Sequence, residues 1–257
     1  MQRLLIVCLV LTLAVARPAW SQAAGGKACD IPTDLTTPSE PLTRVAAALA
    51  TKGGLDILAL GSGSTIGQSG GSHGPAMMTQ TAIKSFPYLM EDALRAMRPS
   101  LKFNLTVQGG RNMTADAMLA ILRKELAAHH YDLVLWQTGT VEAVQGLRPD
   151  VLRGALQDGV DAVAAANADL VLIDPQFSRF LRANADLNPY ETVLTQMAST
   201  QSVTLFHRFD LTQAWVNNGQ IDVERVAREQ RDTTIALLHE CLGQALARYV
   251  LTGGAEH

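Results

Sequence analysis

The side chains able to do polar chemistry cluster in a few short stretches of this chain. Ser62 and Ser64 flank Gly63 in the segment LALGSGSTIG. Either hydroxyl offers a nucleophile if a base lies beside it. His207 follows the apolar run VTLF, and Asp174 follows LVLI. A histidine backed by a carboxylate is the pair that takes a proton from a serine, and such a triad is defined by geometry rather than by chain order. Ser64, His207 and Asp174 are therefore one constellation to test, with Ser62 as the second hydroxyl and Glu142 as the second carboxylate. The plainer reading has Ser62 capping a helix, Ser64 in its first turn and His207 bonded to backbone at a strand end.

The remaining histidines suggest less. His239 follows Asp232 by seven residues, so on a helix the two share a face but stand ~10.5 Å apart. They form no direct pair, and His239 reads as a helix-surface or partly buried residue near Cys241. His73 lies in a glycine-rich segment, and His129-His130 end a helix, where positive charge suits the dipole. None has a second His or Cys at metal-ligand spacing, so neither metal nor cofactor is expected. The segment Gly61–Ala82 has neither the Lys-Ser/Thr ending of a phosphate loop nor G-x-G-x-x-G spacing, so nucleotide is not expected there.

The elements that must hold these groups follow from the apolar pattern. Of 257 residues, 47% are hydrophobic and 18% charged, which excludes a disordered chain. The net charge of −3, the lack of a basic run and an aromatic share of 5% exclude the common nucleic-acid surfaces. Arg3 and the apolar stretch Leu4–Ala16 read as a leader too short to span a bilayer. Cleavage after Ser21-Gln22-Ala23 makes residues 1–23 a signal peptide, with Ala14-Val15-Ala16 as the other small-residue site. A secreted or periplasmic protein with no membrane span after cleavage is expected. Cys8 leaves with the leader, and Cys29 and Cys241 remain as a pair for an oxidising compartment.

Residues 24–40, with Gly25-Gly26, Pro32 and Pro38, read as an extended lead-in, and 41–252 as one domain. Apolar runs at 55–60, 103–108, 133–137, 170–174 and 203–206 predict strands. Amphipathic stretches at 41–52, 85–98, 114–129, 150–167, 188–199 and 222–251 predict helices. Near-continuous apolar strands alternating with helices give an α/β chain with a parallel sheet covered on both faces, a three-layer α/β/α sandwich. Ligands in such folds bind at the carboxyl ends of the strands. That rule gathers Ser62, Gly63, Ser64, Gly110, Arg111, Asn112, Thr140, Glu142 and His207 into one expected cleft.

At these loops the chain resembles the SGNH/GDSL hydrolase family. ALGSGSTIG is similar to the family's G-D-S-x-T-x-G block, VQGGRNMTA to its glycine-bearing block and VLWQTGTVEAVQG to its W-Q-x-G-T-N block. HECLGQALARYV is similar to the segment after its D-x-x-H block. The resemblance runs from about Cys29 to Val250. It implies a flavodoxin-like five-stranded sheet in the order 2-1-3-4-5, and ester hydrolysis of O-acyl groups, carbohydrate acetyl among them. It also implies substitutions at the catalytic positions. Gly61, Thr65 and Gly67 set a register that puts Gly63 where the nucleophile belongs. Val141 stands at the oxyanion asparagine. Alignment on Cys241 puts Gln230 and Thr233 at the Asp and His. Gly109 and Gly110 are kept. The expectation is a family protein acting as a binding or accessory module for a small molecule or carbohydrate. The alternative is an active esterase or acyl transferase with a rearranged Ser-His-Asp/Glu site.

Overall fold

The computed structural model describes residues 29–67, 83–200 and 203–255. The expected leader, the glycine-rich stretch 68–82 and His73 lie outside the described residues. After a 3-10 turn at Asp34–Thr36, the chain alternates helix and strand. The elements are α1 (Thr43–Thr51), β1 (Gly54–Gly61), α2 (Gly63–Ile66), α3 (Phe86–Met97), β2 (Lys102–Gly109), α4 (Ala115–Ala128) and β3 (Leu133–Gln137). Then come α5 (Thr140–Gln145), α6 (Pro149–Ala165), β4 (Asp169–Ile173), α7 (Arg179–Asn184), α8 (Asn188–Thr200), β5 (Thr204–Phe206), α9 (Arg208–Asn217) and α10 (Arg231–Gly253).

The five strands are all parallel, in the order β2-β1-β3-β4-β5. Alternating side chains divide the core in two, because successive strand residues face opposite sides of a sheet. Ile57, Ala59, Leu133, Leu135, Val171, Ile173 and Phe206 pack under α1, α3, α9 and α10. Leu58, Leu60, Val134, Trp136, Leu170, Leu172 and Leu205 pack under α4, α6 and α8.

Local chemistry starts the covering helices. The Thr114 hydroxyl accepts the Ala117 N–H at 3.4 Å, and Met118, Leu119 and Leu122 of α4 point inward. Pro149 opens α6, where the fixed φ of proline suits a first turn. On α6 a Cβ at Gly159 would overlap the buried Trp136 ring, and on α10 a Cβ at Gly243 would overlap the backbone of Leu89 and Met90. Glycine at both positions sets how closely the helices approach their neighbours.

The predicted helix 222–251 starts later than expected, at Arg231. Asp222 accepts the Glu224 N–H at 3.2 Å and, with Glu224, binds Arg179. Asp is a residue that competes for backbone donors in turns, and here it holds the chain out of the helix. Cys29 and Cys241 form a disulfide across 212 residues, with Cα atoms 5.4 Å apart.

Two outcomes test this packing. Gly159→Ala forces a methyl group onto Trp136 and should lower unfolding free energy by about 1–3 kcal/mol in urea titration. Paired Cys29→Ser and Cys241→Ser substitution should cost up to about 5 kcal/mol, the chain-entropy value for so long a loop. Wild-type protein unfolded with and without reductant should show the same difference.

Candidate functional site

The strand ends set the site. Gly61 closes β1 and pairs with Gly109 at the end of β2. Gly109 has φ +135°, and a Cβ there would collide with the Gly61 carbonyl. A Cβ at Gly61 would collide with the Thr65 side chain and lie 3.0 Å from the Gln137 amide oxygen. The two glycines thus let β1, β2 and the short α2 meet without side chains between them.

Ser62 is the N-cap of α2 and is buried, while Ser64 is half-buried in its first turn. Both hydroxyls face Gln137, the last residue of β3. The Gln137 Oε1 accepts from Thr65 Oγ1 at 2.9 Å, Ser64 Oγ at 3.3 Å and Ser62 Oγ at 3.5 Å. Ser64 Oγ also accepts from Arg208 Nη2 at 3.4 Å, and the same Nη2 donates to Gln176 Oε1 at 2.6 Å.

Arg208 is the first residue of α9. It is 2% exposed, and its guanidinium lies over the Phe86 ring at 5.3 Å. Burial pulls its pKa down to about 10, partly offset by the charge of Asp174, so it stays cationic near neutrality. It forms no ion pair among the described residues, and its Nε has no hydrogen-bond partner.

His239 projects from α10 and is buried, not at the helix surface. Its ring stacks parallel on Phe86, and its Nδ1 accepts the Phe86 N–H at 3.2 Å. That bond assigns the ring proton to Nε2. Burial, reinforced by Arg208, lowers its pKa to about 4, so the ring is neutral.

These groups floor a cleft of about 720 Å³. Arg111, Asn112, Thr140 and Gln145 stand at its polar rim, and Val141, Val144, Phe180, Leu181, Ile235 and Leu238 form apolar wall. Ser62, Gly63, Ser64, Arg111, Asn112 and Thr140 of the sequence-predicted cleft come together here. Gly110, Glu142 and His207 are not among its lining residues.

Each of these three has another engagement. The Gly110 N–H donates to the Gly61 carbonyl at 3.3 Å. Glu142 is buried and binds the N–H groups of Ala115 and Gly139 and the Thr138 hydroxyl, fixing the starts of α4 and α5. His207 is exposed at the N-cap of α9, its Nδ1 3.9 Å from both Asp174 and Asp210. That spacing is too long for a hydrogen bond. Asp174 accepts the Phe209 N–H at 2.8 Å, and burial raises its pKa well above the usual carboxylate range.

Of the residues aligned with the family's Asp and His, Gln230 lies in a 3-10 turn and Thr233 is exposed on the first turn of α10; neither lines the cleft. The cleft adds Gln137, Gln176, Arg208 and His239 to the polar groups named from sequence. Gln137 is the last residue of β3 and Gln176 stands three residues past the end of β4, and nearness to a strand end is the signal that could have marked them. Arg208 follows His207, which drew attention to the wrong neighbour. Among the described residues no group of three or more His, Cys, Asp or Glu could hold a metal ion.

The fold is that of SGNH hydrolases. A catalytic mutant of Axe2, an acetylxylan esterase from Geobacillus stearothermophilus, superposes with a TM-score of 0.59 at 14% identity, over 76% of this chain and 94% of that one. LAE5, an alpha/beta hydrolase from the metagenome of Lake Arreo, matches with a TM-score of 0.55 at 15% identity, covering 75% and 96%. The SGNH-hydrolase family esterase AlinE4 matches with 0.51 at 17%, covering 68% and 86%. At these identities the likeness is one of fold. By sequence, residues 28–256 match the model of the Non-GDSL lipase-like family, and the chain belongs to that family. No curated protein matches it significantly.

His239 and Asp174 should oppose each other in the pH dependence of stability. Between pH about 4 and 6.5 the unfolded chain carries a His239 proton that the folded chain lacks, so stability falls on acidification. Above its ordinary pKa the unfolded Asp174 has lost a proton that the folded one keeps, so its contribution rises on acidification. Asp174→Asn should therefore lose more stability than wild type between pH 6.5 and 4. His239→Gln should lose less than wild type. Urea unfolding at the two pH values checks both signs.

Proposed function

We propose that this chain is a secreted or periplasmic member of its family that uses the cleft to bind a ligand and does not carry out serine-dependent ester hydrolysis. The observation that carries this reading is the environment of the two hydroxyls. A serine becomes nucleophilic when a base takes its proton. Here the hydroxyls of Ser62 and Ser64 face the Gln137 amide oxygen, and Ser64 faces the Arg208 cation as well. An amide oxygen is no general base at neutral pH, and a charged guanidinium has no lone pair to accept a proton. His239 engages Nδ1 with backbone, and His207 stands outside the cleft lining.

Secretion is supported by the apolar leader-like start of the chain and by the Cys29–Cys241 bridge, since disulfides persist in oxidising compartments. Among the described residues no helix is long and apolar enough to cross a membrane.

Purified protein should show no covalent labelling by a fluorophosphonate probe. It should hydrolyse p-nitrophenyl acetate no faster than a Ser62→Ala, Ser64→Ala double variant. Labelling at Ser62 or Ser64, lost on alanine substitution, overturns the reading in favour of an active esterase with a rearranged site.

A further inference from the structure

We infer that the cleft takes an organic carboxylate with an apolar body, its anionic head seated at Arg208 and its body along the wall of Val141, Val144, Phe180, Leu181, Ile235 and Leu238. The inference rests on the binding reading above and gives it a ligand class.

Charge is the first argument. The whole chain carries −3, yet among the described residues no Asp or Glu lines the cleft, whereas Arg111 and Arg208 both do. Glu224, beside the lining residue Val223, is taken by Ser178 and by the N–H groups of Arg179 and Phe180, so its charge is spent on the start of α7.

The second argument is the state of Arg208. Its bonds go to neutral oxygens of Gln176 and Ser64, and its Nε is left over. Asp174 acts on this cation only from beyond ion-pair distance, and burial favours the neutral form of Asp174. A buried cation with no contacting counter-charge is costly, and the planar guanidinium fork matches a carboxylate in two parallel hydrogen bonds. A bound carboxylate supplies the missing charge.

The floor offers further donors. The Gln137 Oε1 has two lone pairs and three hydroxyls in reach. Ser62, the most distant at 3.5 Å, can turn its proton to a ligand oxygen at small cost.

The third argument is the wall. Phe180 is 69% exposed and Val144 58% exposed, both large apolar side chains at the cleft. With the other four wall residues they line the same cavity as the Arg208 cation. Exposed apolar patches rimmed by polar groups mark binding grooves. A neutral sugar would leave both the charge and this wall uncompensated.

Isothermal titration of the purified chain with decanoate, 1-decanol and methyl decanoate, all below micellar concentration, tests the inference. Decanoate should bind saturably at one site, at least tenfold more tightly than either neutral compound. Arg208→Gln should bring decanoate down to the affinity of decanol. Phe180→Glu, an exposed change that the fold should tolerate, should weaken decanoate at least tenfold with an unchanged melting temperature. Phe180→Glu thus tests the site even if Arg208→Gln fails to fold. Absent decanoate binding, equal binding of decanol, or unchanged binding by Phe180→Glu each overturn this ligand class and leave the non-hydrolytic reading standing. Fluorophosphonate labelling of Ser62 or Ser64 instead overturns that underlying reading.

Discussion

The amide oxygen of Gln137 organises the end of the sheet. It receives hydroxyls from Thr65, Ser64 and Ser62 and so ties the first turn after β1 to the last residue of β3. The arrangement needs a glycine at 61, where a side chain would occupy the space of Thr65, and a glycine at 109, where one would strike the Gly61 carbonyl. Parallel pairing of Leu60 with Trp136 brings those residues level. A buried acceptor left unpaired costs more than a hydrogen bond gains, so these hydroxyls and this amide hold one another in place. Under the proposed reading, the groups that resemble a nucleophile's surroundings are the floor of a binding site.

The buried Arg208 extends the same logic from geometry to charge. A general-base histidine must become a cation as it takes the serine proton, and a fixed cation nearby opposes that step. Arg208 already contributes to the low pKa of His239, and burial contributes more. The field that discourages an imidazole from accepting a proton is the field that favours an anion in the cleft. Under the proposed reading, absence of base catalysis and affinity for a carboxylate would be two consequences of one residue at the start of α9.

Most of the sheet was legible from sequence because β1, β3, β4 and β5 are buried on both faces and read as near-continuous apolar runs. The helix α9 was not, and its stripe shows why. Arg208, Leu211, Thr212 and Trp215 are all buried and recur at helical spacing, but Arg and Thr count as surface residues in any hydrophobic pattern. Tertiary partners bury them: Arg208 on Gln176 and Phe86, and Thr212 on the Phe177 N–H and the Arg208 carbonyl. The site divides in the same way. Ser62, Gly63, Ser64, Arg111, Asn112 and Thr140 were placed by the rule that ligands meet strand ends. Glu142 and His207 satisfied that rule yet turned elsewhere, Glu142 to two helix starts and His207 to solvent beside Asp174. Direction at a strand end depends on which donors lie within reach, and linear spacing does not carry that information.

The last helix supplies one wall of the cleft. Helix α10 begins at Arg231, so Thr233 sits on an exposed first turn and the inward face starts at Ile235. Ile235, Leu238 and His239 share that face, being separated by three, four and one residues. The helix therefore delivers an apolar wall and a neutral imidazole to the cleft, while Thr233, at the position the resemblance gives to the base, stays outside its lining. Two residues beyond His239, Cys241 is fully buried and bonded to Cys29, and at Gly243 the helix meets the backbone of α3 closely enough to exclude a side chain. The covalent tie and the close approach to α3 bracket the same turn of helix, which holds the wall in register with Arg208 and Phe86. A cleft built this way depends on α10 being rigid, not on any one of its side chains being reactive.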